Sequence, residues 1–166
     1  MPERKYQNDG GPGFTDLAGL IRKACSSPLA DLGSLIDRGL LNTLAENCDA
    51  HGKNFSLLYR AGTVELAPCY DLVSTLYWPA LDRKLSMRLG RTYQVERLRK
   101  DDLSGFAKDL GVSPRLVHQR LDRLLDAADP AWERLADLPE LAVHESLVRT
   151  LHTNWRSLAR QLTRAG

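Results

Sequence analysis

Asn47-Cys48-Asp49-Ala50-His51-Gly52-Lys53-Asn54-Phe55 is the stretch on which the reading of this chain turns, together with a second acidic residue at Tyr70-Asp71. Asp49 and Asn54 stand in the Asp-x-x-x-x-Asn spacing of a phosphoryl-transfer catalytic loop. Asp71 sits where a metal-holding aspartate would return to the same cleft. Transfer of a γ-phosphoryl group needs a carboxylate beside the attacking hydroxyl and hard oxygen ligands for the magnesium that bridges the nucleotide phosphates. Asp49 can supply the first, and Asn54 and Asp71 the second. An ordinary ionised Asp is enough at the first position, because the hydroxyl proton leaves late in a loose transition state and the carboxylate mainly orients the nucleophile. His51 and Lys53 can meet a phosphate oxygen or hold the loop, and Gly52 permits a sharp turn or a close approach. On spacing alone, a polar surface turn accounts for the same residues equally well, since Asn, Asp and Gly are what turns prefer.

The surroundings break that tie. Asn47 to Leu58, followed by Leu66-Ala67-Pro68-Cys69-Tyr70-Asp71-Leu72-Val73-Ser74-Thr75, closely resembles the HipA family of bacterial serine/threonine kinases. Lys5-Tyr6-Gln7-Asn8-Asp9-Gly10-Gly11-Pro12-Gly13 is similar to the loop that opens the C-terminal lobe in that family, and the segments follow in the family's order. The resemblance spans residues 1–166. It implies a mainly α, protein-kinase-like C-terminal lobe with a small β-hairpin, as a single domain. It implies that Asp49 is the catalytic residue, that Asn54 and Asp71 hold Mg2+, and that His51, Gly52, Lys53, Asn54, Tyr70 and Asp71 bind ATP. It also implies a protein substrate with a Ser/Thr acceptor, an aminoacyl-tRNA synthetase among the candidates. The further partner is a HipB-like DNA-binding antitoxin, in a type II toxin–antitoxin system of the cytoplasm. The chain departs from other protein kinases in having no Arg before Asp49 and in carrying Leu72-Val73 where they have Phe-Gly, which puts a Phe switch in doubt and leaves the metal site intact.

A family member of full length carries an N-terminal lobe with a glycine-containing phosphate loop and a phosphate-pairing lysine, and neither is found here. Gly10-Gly11-Pro12-Gly13 does not replace them: Pro12 has no N–H, no apolar strand precedes the run and no Lys-Ser/Thr follows it. The expectation is a C-terminal lobe alone, weak or inactive as a kinase without a separate N-terminal lobe, or a non-catalytic remnant. A rival reading comes from Phe106 to Leu121, where Ala-x-x-x-Gly-Val-Ser marks a helix-turn-helix with Arg115, His118, Gln119 and Arg120 on the second helix, a DNA-binding module.

Composition bounds the rest. At 166 residues and 43% hydrophobic content the chain can bury one core, and a formal net charge of +2 makes no general electrostatic case for nucleic acid or anionic membrane. Cys25, Cys48 and Cys69 form no Cys-x-x-Cys pair, which argues against a disulfide framework or a zinc site and fits a reducing compartment. No 18-residue apolar run or secretion leader is present.

The local pattern is mostly helical. Phe14, Leu17, Leu20, Ile21 and Ala24 predict one helix with Thr15 as its cap, and Leu29, Leu32, Ile36, Leu40 and Leu44 a second that leads into the catalytic loop. Phe55–Tyr59 and Thr63–Ala67 across Arg60-Ala61-Gly62 predict the hairpin, with Asn54 and Asp71 at its two outer ends and Pro68 stopping the second strand. Lys84–Leu89 reads as a short strand or extended loop. Asp101 or Asp102 caps a helix ending near Gly111, Ser113-Pro114 opens another, Asp129-Pro130 marks a break, and Leu141 to Leu162 form an amphipathic final helix in which His144 and His152 are ordinary helix residues.

Overall fold

The computed structural model describes residues 4–164 and is mainly helical with two small antiparallel hairpins. In chain order the helices are α1 (Phe14–Ala24), α2 (Pro28–Leu44), α3 (Lys100–Leu110), α4 (Pro114–Ala136) and α5 (Glu145–Thr163). The strands β1 (Leu57–Arg60) and β2 (Thr63–Leu66) follow α2, and β3 (Lys84–Leu89) and β4 (Thr92–Gln94) precede α3.

α2 is the axis of the molecule, in contact with α1, α4, α5, β2 and β3. Its apolar stripe Leu35, Ile36, Leu40 and Leu44 is buried, and α3 adds Leu103, Phe106 and Leu110 to the same core. Phe14 and Phe106 meet edge to face at 4.8 Å between ring centroids, an arrangement worth about 1 kcal/mol beyond the area it buries. Leu20 and Leu29 satisfy the helical spacing yet lie in solvent, so the buried face is narrower than the pattern.

Helix ends follow their punctuation with one exchange. α1 starts one residue before Thr15, capped when the Gly13 N–H donates to Asp16 Oδ2 at 2.9 Å. Asp102 closes α3 in the same way, accepting from the Arg99 N–H at 2.9 Å. Ser113 Oγ accepts from the Leu116 N–H, as Ser113-Pro114 predicts.

The expected break at Asp129-Pro130 does not occur, because Pro130 lies inside α4. The ring removes one N–H and crowds the preceding turn, but α4 continues because Trp132, two residues on, is held by Trp155 at 5.9 Å and stacks on His152 at 4.9 Å. Leu141 and His144 belong to a 3-10 segment, Pro139–His144, ahead of α5 rather than to the final helix itself.

The first hairpin matches its prediction, with Leu57 opposite Leu66 and Arg60 opposite Thr63. Ala61 and Gly62 both have positive φ, 43° and 82°, the two-residue turn whose twist suits a hairpin. Lys84–Leu89 is a strand, and its partner Thr92–Gln94 makes a second hairpin that the sequence left open. Gly90 turns it at φ 61°, where a Cβ would lie 2.3 Å from the Asp102 carbonyl, so only glycine lets β3–β4 dock on α3.

Replacing Phe106 by Ala is expected to lower unfolding free energy by about 3–5 kcal/mol. Pro130→Ala, by restoring the missing helical bond, should raise it by up to about 3 kcal/mol. Thermal and urea melts followed by circular dichroism read both.

Candidate functional site

After α2 the chain reverses at Glu46, a non-glycine residue at φ 51°, and enters the loop that carries Asp49. The buried side-chain amide of Asn47 ties this reversal to a distant segment. It donates to Asn42 Oδ1 at 2.9 Å and to the Asp71 carbonyl at 3.0 Å. Asp71 sits at φ 56°, a left-handed conformation that non-glycine residues seldom adopt and that the surrounding bonds must impose.

The Asp71 carboxylate accepts from Asn54 Nδ2 at 2.5 Å, so the outer ends of the first hairpin do meet. Asn54 Oδ1 accepts from the His51 N–H at 2.9 Å and closes the short 3-10 turn Gly52–Asn54. Asp49 and Asp71 both line a cleft of about 610 Å³. Tyr6 and Asp9 line it from the N-terminal segment, and Trp78 and Leu81 from the loop after Asp71.

The remaining predicted residues brace the loop. His51 is buried, with its ring edge to face with Tyr6 at 5.8 Å. Gly52 is needed for contact, since a Cβ there would lie 2.3 Å from Pro12 Cγ. The Tyr70 hydroxyl donates to the Lys53 carbonyl at 2.7 Å and lies 2.6 Å from Ser56 Oγ, so it secures the loop from outside.

Tyr6 joins the site, a residue that its own stretch of sequence does not mark. Its hydroxyl donates to Asp49 Oδ1 at 2.7 Å, and the Lys5 amine reaches the same oxygen at 3.3 Å. The hydrogen bond to Tyr6 and the charge of Asp49 raise the Lys5 amine above its ordinary value. Both partners lie more than forty positions from Asp49 in sequence, and no local pattern signals the contact.

Behind the loop, Glu46 is buried and grips Arg83 through two bonds of 2.7 Å each. Burial raises its carboxyl above the usual range, opposed by the hydrogen bond and charge of Arg83. The Glu46 carbonyl accepts from Thr75 Oγ1 at 2.7 Å, and Ser86 Oγ donates to the Cys48 carbonyl at 2.5 Å. Burial also pushes the Cys48 thiol up, which removes the thiolate a redox role would need at neutral pH.

Among the described residues, no group of three or more His, Cys, Asp or Glu is placed to hold a metal. No described helix is long and apolar enough to cross a membrane.

Helices around a short acid-amide loop, with two hairpins beside it, define the class: a domain of the kind found at the C-terminal end of HipA proteins. The family model of the HipA-like C-terminal domain matches residues 1–132, and this chain belongs to that family. Y4mE of Sinorhizobium fredii, which carries the name of a kinase, is 38% identical over 148 residues, covering 89% of this chain and 35% of the relative. The serine/threonine-protein kinase toxin HipA of Shewanella oneidensis is 31% identical over 132 residues, covering 73% of this chain and 30% of that protein. A solved complex of the Shewanella oneidensis MR-1 toxin–antitoxin system, with HipA, HipB and operator DNA, matches with TM-score 0.83 and 26% identity across 95% of this chain and 40% of that one. The chain thus spans about a third of the length of these curated relatives.

Arg83→Met removes the charge facing Glu46 and should lower stability near neutral pH by about 3 kcal/mol, the low end for an orphaned buried carboxylate. A carboxyl whose folded value is raised favours the fold below its ordinary value of 4.5 and loses that contribution as pH rises through the raised value. Without Arg83 the rise is larger, so urea midpoints of the variant should fall more steeply than the parent's as pH climbs above 4.5.

Proposed function

We propose that this domain is the catalytic lobe of a protein serine/threonine kinase of protein-kinase type, which moves the γ-phosphoryl group of ATP to a Ser or Thr hydroxyl. The observation that carries this reading is that Asp49 and Asp71 line one cleft, with Asn54 bonded directly to the Asp71 carboxylate. Kinase names among the relatives support it.

The donor set suits Mg2+. Asn54 Oδ1 and the Asp71 carboxylate are hard oxygens, and Oδ1 keeps a lone pair beyond the one that His51 uses. Asn54 and Asp71 would hold the ion, which would supply neutralisation of phosphate charge.

Asp49 orients the acceptor. Tyr6 and Lys5 both engage its Oδ1, which leaves Oδ2 free to accept the incoming hydroxyl proton. The acceptor oxygen forms its bond to the γ-phosphorus as the bond to the β–γ bridging oxygen breaks. ADP departs with that electron pair, and the hydroxyl proton passes to Asp49. Fixing the carboxylate from two sides lowers the entropy lost on reaching in-line geometry. Lys53 and His51 contribute to holding the loop under the phosphates, with Gly52 and Tyr70 shaping it.

The partners follow the relatives. HipA of Shewanella oneidensis forms a complex with HipB and operator DNA, so a small DNA-binding antitoxin is the proposed partner and the cytoplasm the proposed setting. An aminoacyl-tRNA synthetase remains a candidate substrate by resemblance. With the cleft described here open on one side, phosphate charge is clamped weakly, and turnover by this chain alone should be slow.

Direct DNA reading by α4 is less favoured. Arg120, one of its expected contacts, donates to Asp37 Oδ2 at 2.6 Å and packs along Gly33, which turns it into the helical core.

Asp71→Ala and Asn54→Ala should weaken magnesium-dependent ATP binding at least about tenfold in calorimetric titrations. Asp49→Asn should retain binding while losing about a hundredfold or more in transfer of labelled phosphate. Unchanged nucleotide affinity in Asp71→Ala would end the assignment.

A further inference from the structure

A second groove lies where the first turn of α3 faces the end of α5, and it shares no lining residue with the cleft. It encloses about 450 Å³, with Arg99 and Lys100 on the α3 wall and Arg160 and Arg164 on the α5 wall. All four charges are kept. Among the described residues none of them is ion-paired, and the lining holds a single carboxylate, Asp101, which pairs with none of them.

Two of the guanidinium groups are held without being neutralised. Arg99 Nη1 donates to the carbonyls of Glu96 and Leu98 at 2.9 and 2.7 Å, and Arg160 Nε donates to the Arg156 carbonyl at 3.1 Å. A carbonyl orients a guanidinium and leaves its charge intact, with further N–H groups on each for another acceptor. Arg160 and Arg164 close α5, where a helix end favours positive charge, so that pair has a local explanation. Arg99 and Lys100 open α3, where the positive end of the helix disfavours it. Cations set against the helix field, opposite a second cationic wall, are relieved by a bound anion.

The rest of the lining says which anion. Ser157 and Gln161 complete it, and no aromatic or aliphatic side chain is present on which a base or an acyl chain could rest. An orthophosphate is small for this space, whereas linked phosphates can meet both walls at once and take charge-assisted bonds from the arginine forks. We propose that this groove binds a compact anion with two or more linked phosphate groups, recognised by its phosphates alone, and that the anion pins the end of α5 to the start of α3. The site stands apart from the kinase reading and does not depend on it.

The probe is inorganic tripolyphosphate, titrated calorimetrically into the whole chain in the presence of EDTA. Binding should saturate at one site and be at least about tenfold tighter than that of orthophosphate or sulfate. The pair Arg160→Gln with Arg164→Gln should cost about tenfold, and so should Arg99→Gln with Lys100→Gln. Tripolyphosphate should raise the melting temperature of the parent and leave that of either double variant nearly unchanged. Circular dichroism of the variants checks that they fold. Asp71→Ala, in the cleft, should bind the probe as the parent does.

Failure to saturate overturns the proposal, as does affinity equal to that for sulfate or affinity that survives both double variants. Loss of binding in Asp71→Ala overturns it by placing the anion in the cleft. A short DNA duplex that binds more tightly than tripolyphosphate, and loses that affinity in the same variants, overturns it by making the groove a contact for a nucleic-acid backbone.

Discussion

A single buried amide organises this molecule. Asn47 donates to Asn42 on α2 and to the carbonyl of Asp71, so it couples the central helix to the far side of the first hairpin. The coupling holds Asp71 in a left-handed conformation it would not choose alone. With Asp71 held there, its carboxylate accepts from the Asn54 side-chain amide, which joins the two ends of the first hairpin beside the cleft. A side chain that reaches into this cleft finds its backbone already set, which is the condition for preorganised chemistry.

Support for that junction comes from groups spread along the chain. Glu46 and Arg83 brace the loop from behind, Thr75 and Ser86 bind its carbonyls, and Tyr6 and Lys5 arrive from the N-terminal segment to hold Asp49. Each bond is modest, about 1 kcal/mol net, but each satisfies a polar group that would otherwise be orphaned in a partly buried setting. The helical core beneath is ordinary apolar packing centred on α2, and it supplies the rigid base on which the loop rests.

Local signals settled much by themselves. The helical stripes of α1 and α2, the turn at Ala61-Gly62, the Ser113-Pro114 start and the loop spacing of Asp49 and Asn54 are all encoded within a few residues, because periodicity, capping and turn conformation act over that range. The first hairpin was also enough to bring Asn54 to Asp71, since antiparallel pairing joins the ends of its strands. What only the tertiary structure decided involves partners far apart in sequence. Tyr6 on Asp49, Arg83 on Glu46 and the turning inward of Arg120 depend on how helices and loops stack. The second hairpin was only half legible, because Lys84–Leu89 alternates polar and apolar residues while its partner Thr92–Gln94 is three residues long and too short to show a pattern of its own. Pro130 stayed inside α4 because the ring contacts of Trp132 with α5 outweighed a local preference to stop, and no window of neighbouring residues contains that comparison.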